Sequence, residues 1–182
     1  YFEGGLVQEQ NPALLRPTVD RNLYAPMLLT QLALPALLKQ PAAHILNVCA
    51  SVAELGAPGY AAYEAAQVGL MTYTRVLRRE LAGRDIAVTG FCPGTAVPGL
   101  AASLFAADVK PAVGDPEPYL VAADLVAAVK RPDGGTVLTH RSFTVRLLTW
   151  LNRLFPALFE RLWARRREAV AFKQTAGADG SS

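Results

Sequence analysis

The chain is poor in the residues that bind metals or staple small folds. Among 182 residues there are two histidines and two cysteines. His44 and His140 stand far apart, without cysteine or carboxylate partners at ligand spacing, which argues against a metal site. Cys49 and Cys92 cannot build a disulfide framework, so a reducing compartment and a cytoplasmic location are expected. A strong excess of one charge is also missing. A formal net charge of +3 gives no reason to expect nucleic acid as a partner. No uninterrupted apolar run is long enough to span a bilayer. The first ten residues, YFEGGLVQEQ, lack the charged-then-apolar order of a secretory leader.

What is present is a core. Hydrophobic residues make up 52% of the chain, enough for one globular domain. From Asn11 to Lys39, Leu15, Val19, Leu23, Met27, Leu28 and Leu32 recur at three- and four-residue steps, which predicts a helix that Pro35 ends or kinks. HILNVC (44–49) is a short apolar strand, and SVAELGAPG is a loop. Tyr60 to Leu81 reads as a second long helix. IAVTGF (86–91) reads as a second strand, cut off by Pro93-Gly94. Asp115-Pro116 starts a helix that runs to about Lys130, and TVLTH is a third strand. Long helices between short buried strands imply a parallel α/β sheet with right-handed crossovers. Ligands bind such sheets at the C-terminal strand ends. Here those ends feed the loops 50–59 and 93–115 and the turn at His140.

Two stretches at these ends carry a resemblance. NVCASVAELGAPGYAAYEAAQVGL followed by IAVTGFCPGTAVPGL, with DRNL (20–23) on the preceding helix, resembles the catalytic half of the short-chain dehydrogenase/reductase family. The likeness covers roughly Tyr1 to His140. It implies a partial doubly wound, Rossmann-type sheet of about three strands. It also implies NAD or NADP as cofactor and interconversion of a small alcohol and a carbonyl. By the family pattern, Tyr63 is the acid–base tyrosine and Asn22 holds a proton-relay water. Pro93, Gly94, Thr95 and Ala96 form the cofactor-facing loop.

The chain departs from that pattern at two catalytic positions. Ala50 stands where the family has serine, and Gln67 stands where it has lysine. Ser51 is the adjacent residue, and its side chain should point the other way along an extended strand. Pro98 replaces the threonine that meets the cofactor's carboxamide end. A free tyrosine has a pKa near 10, so at neutral pH it exchanges protons poorly without a cation beside it. Gln67 shares a helical face with Tyr63 and can hydrogen-bond a ribose, but it carries no charge. The expectation is weak or no turnover, with a non-catalytic interaction subunit as the alternative. The family's glycine-rich phosphate loop, T-G-x-x-x-G-x-G, is absent from these residues, which reads as a chain starting in mid-domain. TGFCPG (89–94) mimics its first letters but ends a strand instead of opening a helix.

The bland readings are structural. Tyr63 could be a packed helix-start tyrosine, and Asn22 a satisfied buried amide. Cys49 and Cys92 end adjacent strands; core packing is the reading adopted, because nothing cationic flanks either thiol, and a redox pair is the alternative. Residues 141–172 form an amphipathic helical extension, with Leu147, Leu148, Leu151, Leu154, Phe155, Leu158, Phe159 and Leu162 in a stripe edged by arginines and broken at Pro156. Such a stripe covers a substrate loop or a partner subunit, or rests on an anionic membrane surface. Either role suits a hydrophobic substrate. Residues 173–182 read as a disordered tail. The resemblance also implies a homo-oligomer paired through the two long helices.

Overall fold

A computed structural model describes residues 5–50, 56, 58–93, 118–131, 134–139, 150–158, 160, 161 and 164. Helix α1 (Pro12–Val19) is capped by Asn11, whose side chain accepts from the Ala13 N–H, with proline in the first turn. A π-helical turn, Asp20–Tyr24, joins it to α2 (Ala25–Leu37). Pro26 has no N–H to return to the Asn22 carbonyl, and the ladder is looser here: Ala25 N–H reaches back five residues to Asp20. Pro35 lies inside α2, which ends two residues later at Leu37.

Three parallel strands follow in the order β1 (Ala43–Val48), β2 (Ile86–Pro93), β3 (Gly135–Thr139), with β2 in the centre. The register runs Ala43↔Ile86 to Val48↔Phe91, and Thr89↔Gly135 to Pro93↔Thr139. The strand expected to stop at Phe91 therefore continues to Pro93, which needs no N–H at a strand's last position. The crossovers are α3 (Ala61–Glu80) and α4 (Pro118–Val129). The start of α4 expected at Asp115 lies outside the described residues.

α3 is the central helix. It buries Tyr63, Ala66, Gln67, Leu70, Met71, Thr74 and Leu77, the repeat that matches 3.6 residues per turn. Its lower half packs Leu77 with Ile45, Leu81, Ile86 and Val88. Its upper half packs Leu70 and Met71 with Cys49 and Cys92, where the strands end. Polar side chains of β1 tie the layers together. Asn47 of β1 donates from Nδ2 to Thr74 Oγ1 of α3 at 2.9 Å. His44 holds the Val129 carbonyl through Nδ1 at 2.8 Å and Thr89 Oγ1 through Nε2 at 2.8 Å. A carbonyl only accepts, so Nδ1 carries the proton and Nε2 accepts the threonine hydroxyl. Both nitrogens of His44 are thus engaged in structure. At Gly134 the chain adopts φ +63° directly against the backbone of Val88, a position no side chain can share.

Beyond β3, residues 150–154 and 156–158 are helical, with the break at Phe155 beside the expected Pro156. Among the described residues, no helix is long and apolar enough to cross a membrane.

Candidate active site

The site forms where three elements meet: the π-turn, the end of β1 and the first two turns of α3. Gln67 joins them. Its Oε1 accepts the Ala50 N–H at 2.9 Å, and its Nε2 donates to Asn22 Oδ1 at 3.2 Å. Asn22 in turn donates from Nδ2 to the Thr18 carbonyl at 2.9 Å, and Thr18 donates its hydroxyl to the Leu14 carbonyl at 2.8 Å. One glutamine thus links Asn22 and Ala50, the other two expected tetrad positions it can reach. Gln67 is only 6% exposed. A ribose hydroxyl would have to compete with both bonds for its amide. Gly69, one residue pair further along α3, lets Leu23 of the π-turn approach to van der Waals contact, which brings Asn22 and Gln67 within reach.

Tyr63 is 8% exposed in the first turn of α3. Burial pushes its phenol above the ordinary value of 10, and the acidic groups of Cys49 and Glu64 push it further the same way. This is opposite to the shift that an adjacent lysine would produce. Pro93 closes β2, half-buried and paired with Thr139. Ser51, Gly94, Thr95, Ala96 and Pro98 lie outside the described residues.

An open cleft of about 430 Å³ lies beside the helix start, between Leu6–Gln8, the glycines of the loop before α3, Ala61 and Glu64. Gly5 N–H donates to the Gly59 carbonyl at 3.1 Å and ties its two walls. Glu64 is 8% exposed, a buried carboxylate that the sequence reading passed over. The YEAA spacing could have flagged it, since the residue after Tyr63 follows it into the first turn. Thr18 was also missed. Its position four residues before Asn22 was the available signal. Among the described residues, no group of three or more potential metal ligands exists.

Residues 3–108 match the short chain dehydrogenase family. The chain is 28% identical over 169 residues to the bovine (Bos taurus) dehydrogenase/reductase SDR family member 7B, covering 89% of this chain and 51% of that protein. It is 34% identical over 76 residues to the 3-oxoacyl-[acyl-carrier-protein] reductase of Synechocystis, covering 42% of this chain and 31% of that protein. The chain thus spans about half or less of these relatives' length. Among solved structures, a Burkholderia phymatum short-chain dehydrogenase/reductase in complex with NAD aligns with TM-score 0.70 at 20% identity, covering 86% of this chain and 63% of that one. A Burkholderia cenocepacia short chain dehydrogenase in complex with NADP aligns with TM-score 0.64 at 21% identity, covering 90% and 66%. The fold is therefore the Rossmann-type fold of these nicotinamide-binding neighbours. The family match spans more than half of the chain and contains Asn22, Ala50, Tyr63 and Gln67, so this chain belongs to the short-chain dehydrogenase/reductase family of oxidoreductases.

Proposed function

We propose that this chain is a divergent member whose alcohol–carbonyl chemistry is weak or absent. The observation that carries the reading is the setting of Tyr63: its phenol is buried in the first turn of α3, and that burial first, then Cys49 and Glu64, pushes it away from easy ionisation. A proton-transfer tyrosine works best when its pKa lies near the operating pH. Gln67 supports the same reading, because its amide is committed to Asn22 and Ala50. The described residues therefore do not fit a nicotinamide ribose as a lysine at this position would. No hydride step is assigned to them.

The test restores Ala50→Ser and Gln67→Lys in the full natural gene product. Carbonyl reduction with NADH or NADPH that rises at least about 100-fold supports the reading, the scale of general acid–base catalysis. A parent chain that already reduces carbonyls readily, as fast as the double variant, overturns it.

Within this reading, residues 1–140 are the catalytic half, 141–172 a helical extension and 173–182 a tail. The substrate is a hydrophobic alcohol or carbonyl, the cofactor NAD or NADP, the assembly a homo-oligomer and the location cytoplasmic. A second reading has one observation in its favour. Trp150, Leu154, Phe155 and Leu158 are each more than half exposed, beside Arg153 and Arg161. Such a surface suits contact with anionic lipid. Flotation with phosphatidylserine vesicles that survives deletion from Arg146 onward would sink this second reading.

A further inference from the structure

The upper core holds a pair of thiols that the chemistry above does not use. Cys92 lies in β2, and Cys49 follows β1 directly. Since Val48 pairs with Phe91 in the parallel register, Cys49 and Cys92 are the next partners across the two strands. The backbone pairing continues there, with Cys49 N–H donating to the Phe91 carbonyl at 2.7 Å. Cys92 donates its S–H to Cys49 Sγ, and this bond draws the Cys49 thiol below its ordinary value against the opposing effect of burial. Cys49 also donates to the Asn47 carbonyl at 3.8 Å. The two thiols form one hydrogen-bonded unit within electrostatic reach of Tyr63.

We propose that Cys49 and Cys92 form a reversible dithiol–disulfide couple beneath the Tyr63 site. Neighbouring Cα atoms across a sheet lie about 5 Å apart, inside the span a disulfide bridges. Side chains of parallel partners stand side by side rather than converging, so the bridge is strained. Strained disulfides are the readily reduced ones. The oxidant must be small, because Cys49 is 2% exposed and Cys92 is fully buried. Hydrogen peroxide fits. The Cys49 thiolate attacks one peroxide oxygen, the O–O bond breaks and hydroxide leaves, giving a sulfenic acid. The Cys92 sulfur then attacks the Cys49 sulfur, the S–O bond breaks, and the hydroxyl departs as water with the Cys92 proton. Two thiols and one peroxide become one disulfide and two waters.

The experiment exposes the full chain to one equivalent of hydrogen peroxide, quenches with catalase, alkylates under denaturing conditions and measures the intact mass. The expected product has lost two hydrogens and carries no alkyl group; dithiothreitol restores two alkylation sites. C49S and C92S should each abolish the two-hydrogen loss. Two alkylatable thiols after peroxide, or oxygen added to one cysteine with no bridge, overturn the proposal. A bridge that still forms between chains in C49S, at the wild-type rate, also overturns it. Tyrosinate absorbance supplies a second readout. Closing the bridge removes the ionisable thiol facing Tyr63, so the Tyr63 contribution, identified with Y63F, titrates at lower pH in the oxidised protein. An unchanged titration removes the link to the site.

Discussion

Gln67 Nε2 donates to Asn22 Oδ1 at 3.2 Å across two helices, while the other end of the same amide holds the Ala50 N–H. The contact joins residues 45 positions apart and explains why a neutral amide is accommodated where a cation is expected. Lysine has three donors and no acceptor. Q67K alone therefore leaves the Ala50 N–H without its acceptor. The expected cost is about 1–2 kcal/mol, a fall in Tm of roughly 2–8 °C. Thermal unfolding of Q67K against wild type checks this; a Tm equal to or above wild type contradicts it. Q67E retains an acceptor for Ala50 but gives Asn22 Oδ1 no donor, and should also fall below wild type.

Tyr63 makes a pH prediction whose sign is fixed. Its folded value lies above the unfolded value of about 10. Between the two, the folded chain holds a proton that the unfolded chain releases. Tyr63 contributes no pH dependence well below pH 10, and stability falls as pH rises through the window above it. Chemical denaturation of wild type and Y63F at a series of pH values isolates the effect, since all other tyrosines are common to both. The Y63F curve should descend less steeply above pH 10; parallel curves reject the shift.

The Asn47–Thr74 bond predicts a buried, unpaired amide when one partner goes. T74V removes the acceptor while Asn47 remains 9% exposed, at a cost of about 1–3 kcal/mol. N47L/T74V removes both polar groups and should recover part of that loss. A double variant no more stable than T74V would mean that the amide was satisfied by other means.

Gly134 and Gly83 form a controlled pair. Both have positive φ, +63° and +81°. A Cβ at Gly83 meets nothing within 4 Å, whereas one at Gly134 falls 2.7 Å from Val88 N and against the Val88 carbonyl. G83A should cost only the left-handed penalty of about 1 kcal/mol. G134A adds displacement of the central strand and should cost at least about 2 kcal/mol more. Urea midpoints for the two variants decide it.

The long elements were legible because their signals are local. The helix expected from Tyr60 to Leu81 agrees with α3 (Ala61–Glu80) within a residue at each end, and Asn22, Tyr63 and Gln67 stood out by their order along the chain. The π-turn was harder to see. Its cause, Pro26 four residues after Asn22, can be read in retrospect, but prolines near helix starts usually mean only a cap. Which way Gln67 points was not legible at all. A ribose and the Asn22–Ala50 pair are chemically equivalent partners for an amide, and the hydrogen bonds to Ala50 and Asn22 depend on the tertiary approach of the π-turn and β1 to α3, which no local pattern encodes. The thiol pair was visible as two strand ends, yet its contact depends on register, which a one-residue slip would erase.

β2 is paired on both sides, with β1 and β3, and contains Val88, Thr89, Phe91 and Cys92, each at most 1% exposed. In amide hydrogen exchange this strand should be the last to take up deuterium, opening only with the whole sheet. The π-turn, with its stretched ladder and exposed Arg21 and Tyr24, should exchange far sooner. Asn22 would then ride on a segment that opens while its glutamine partner on α3 stays closed, so the Asn22–Gln67 bond spans a fast-opening and a slow-opening part of the fold.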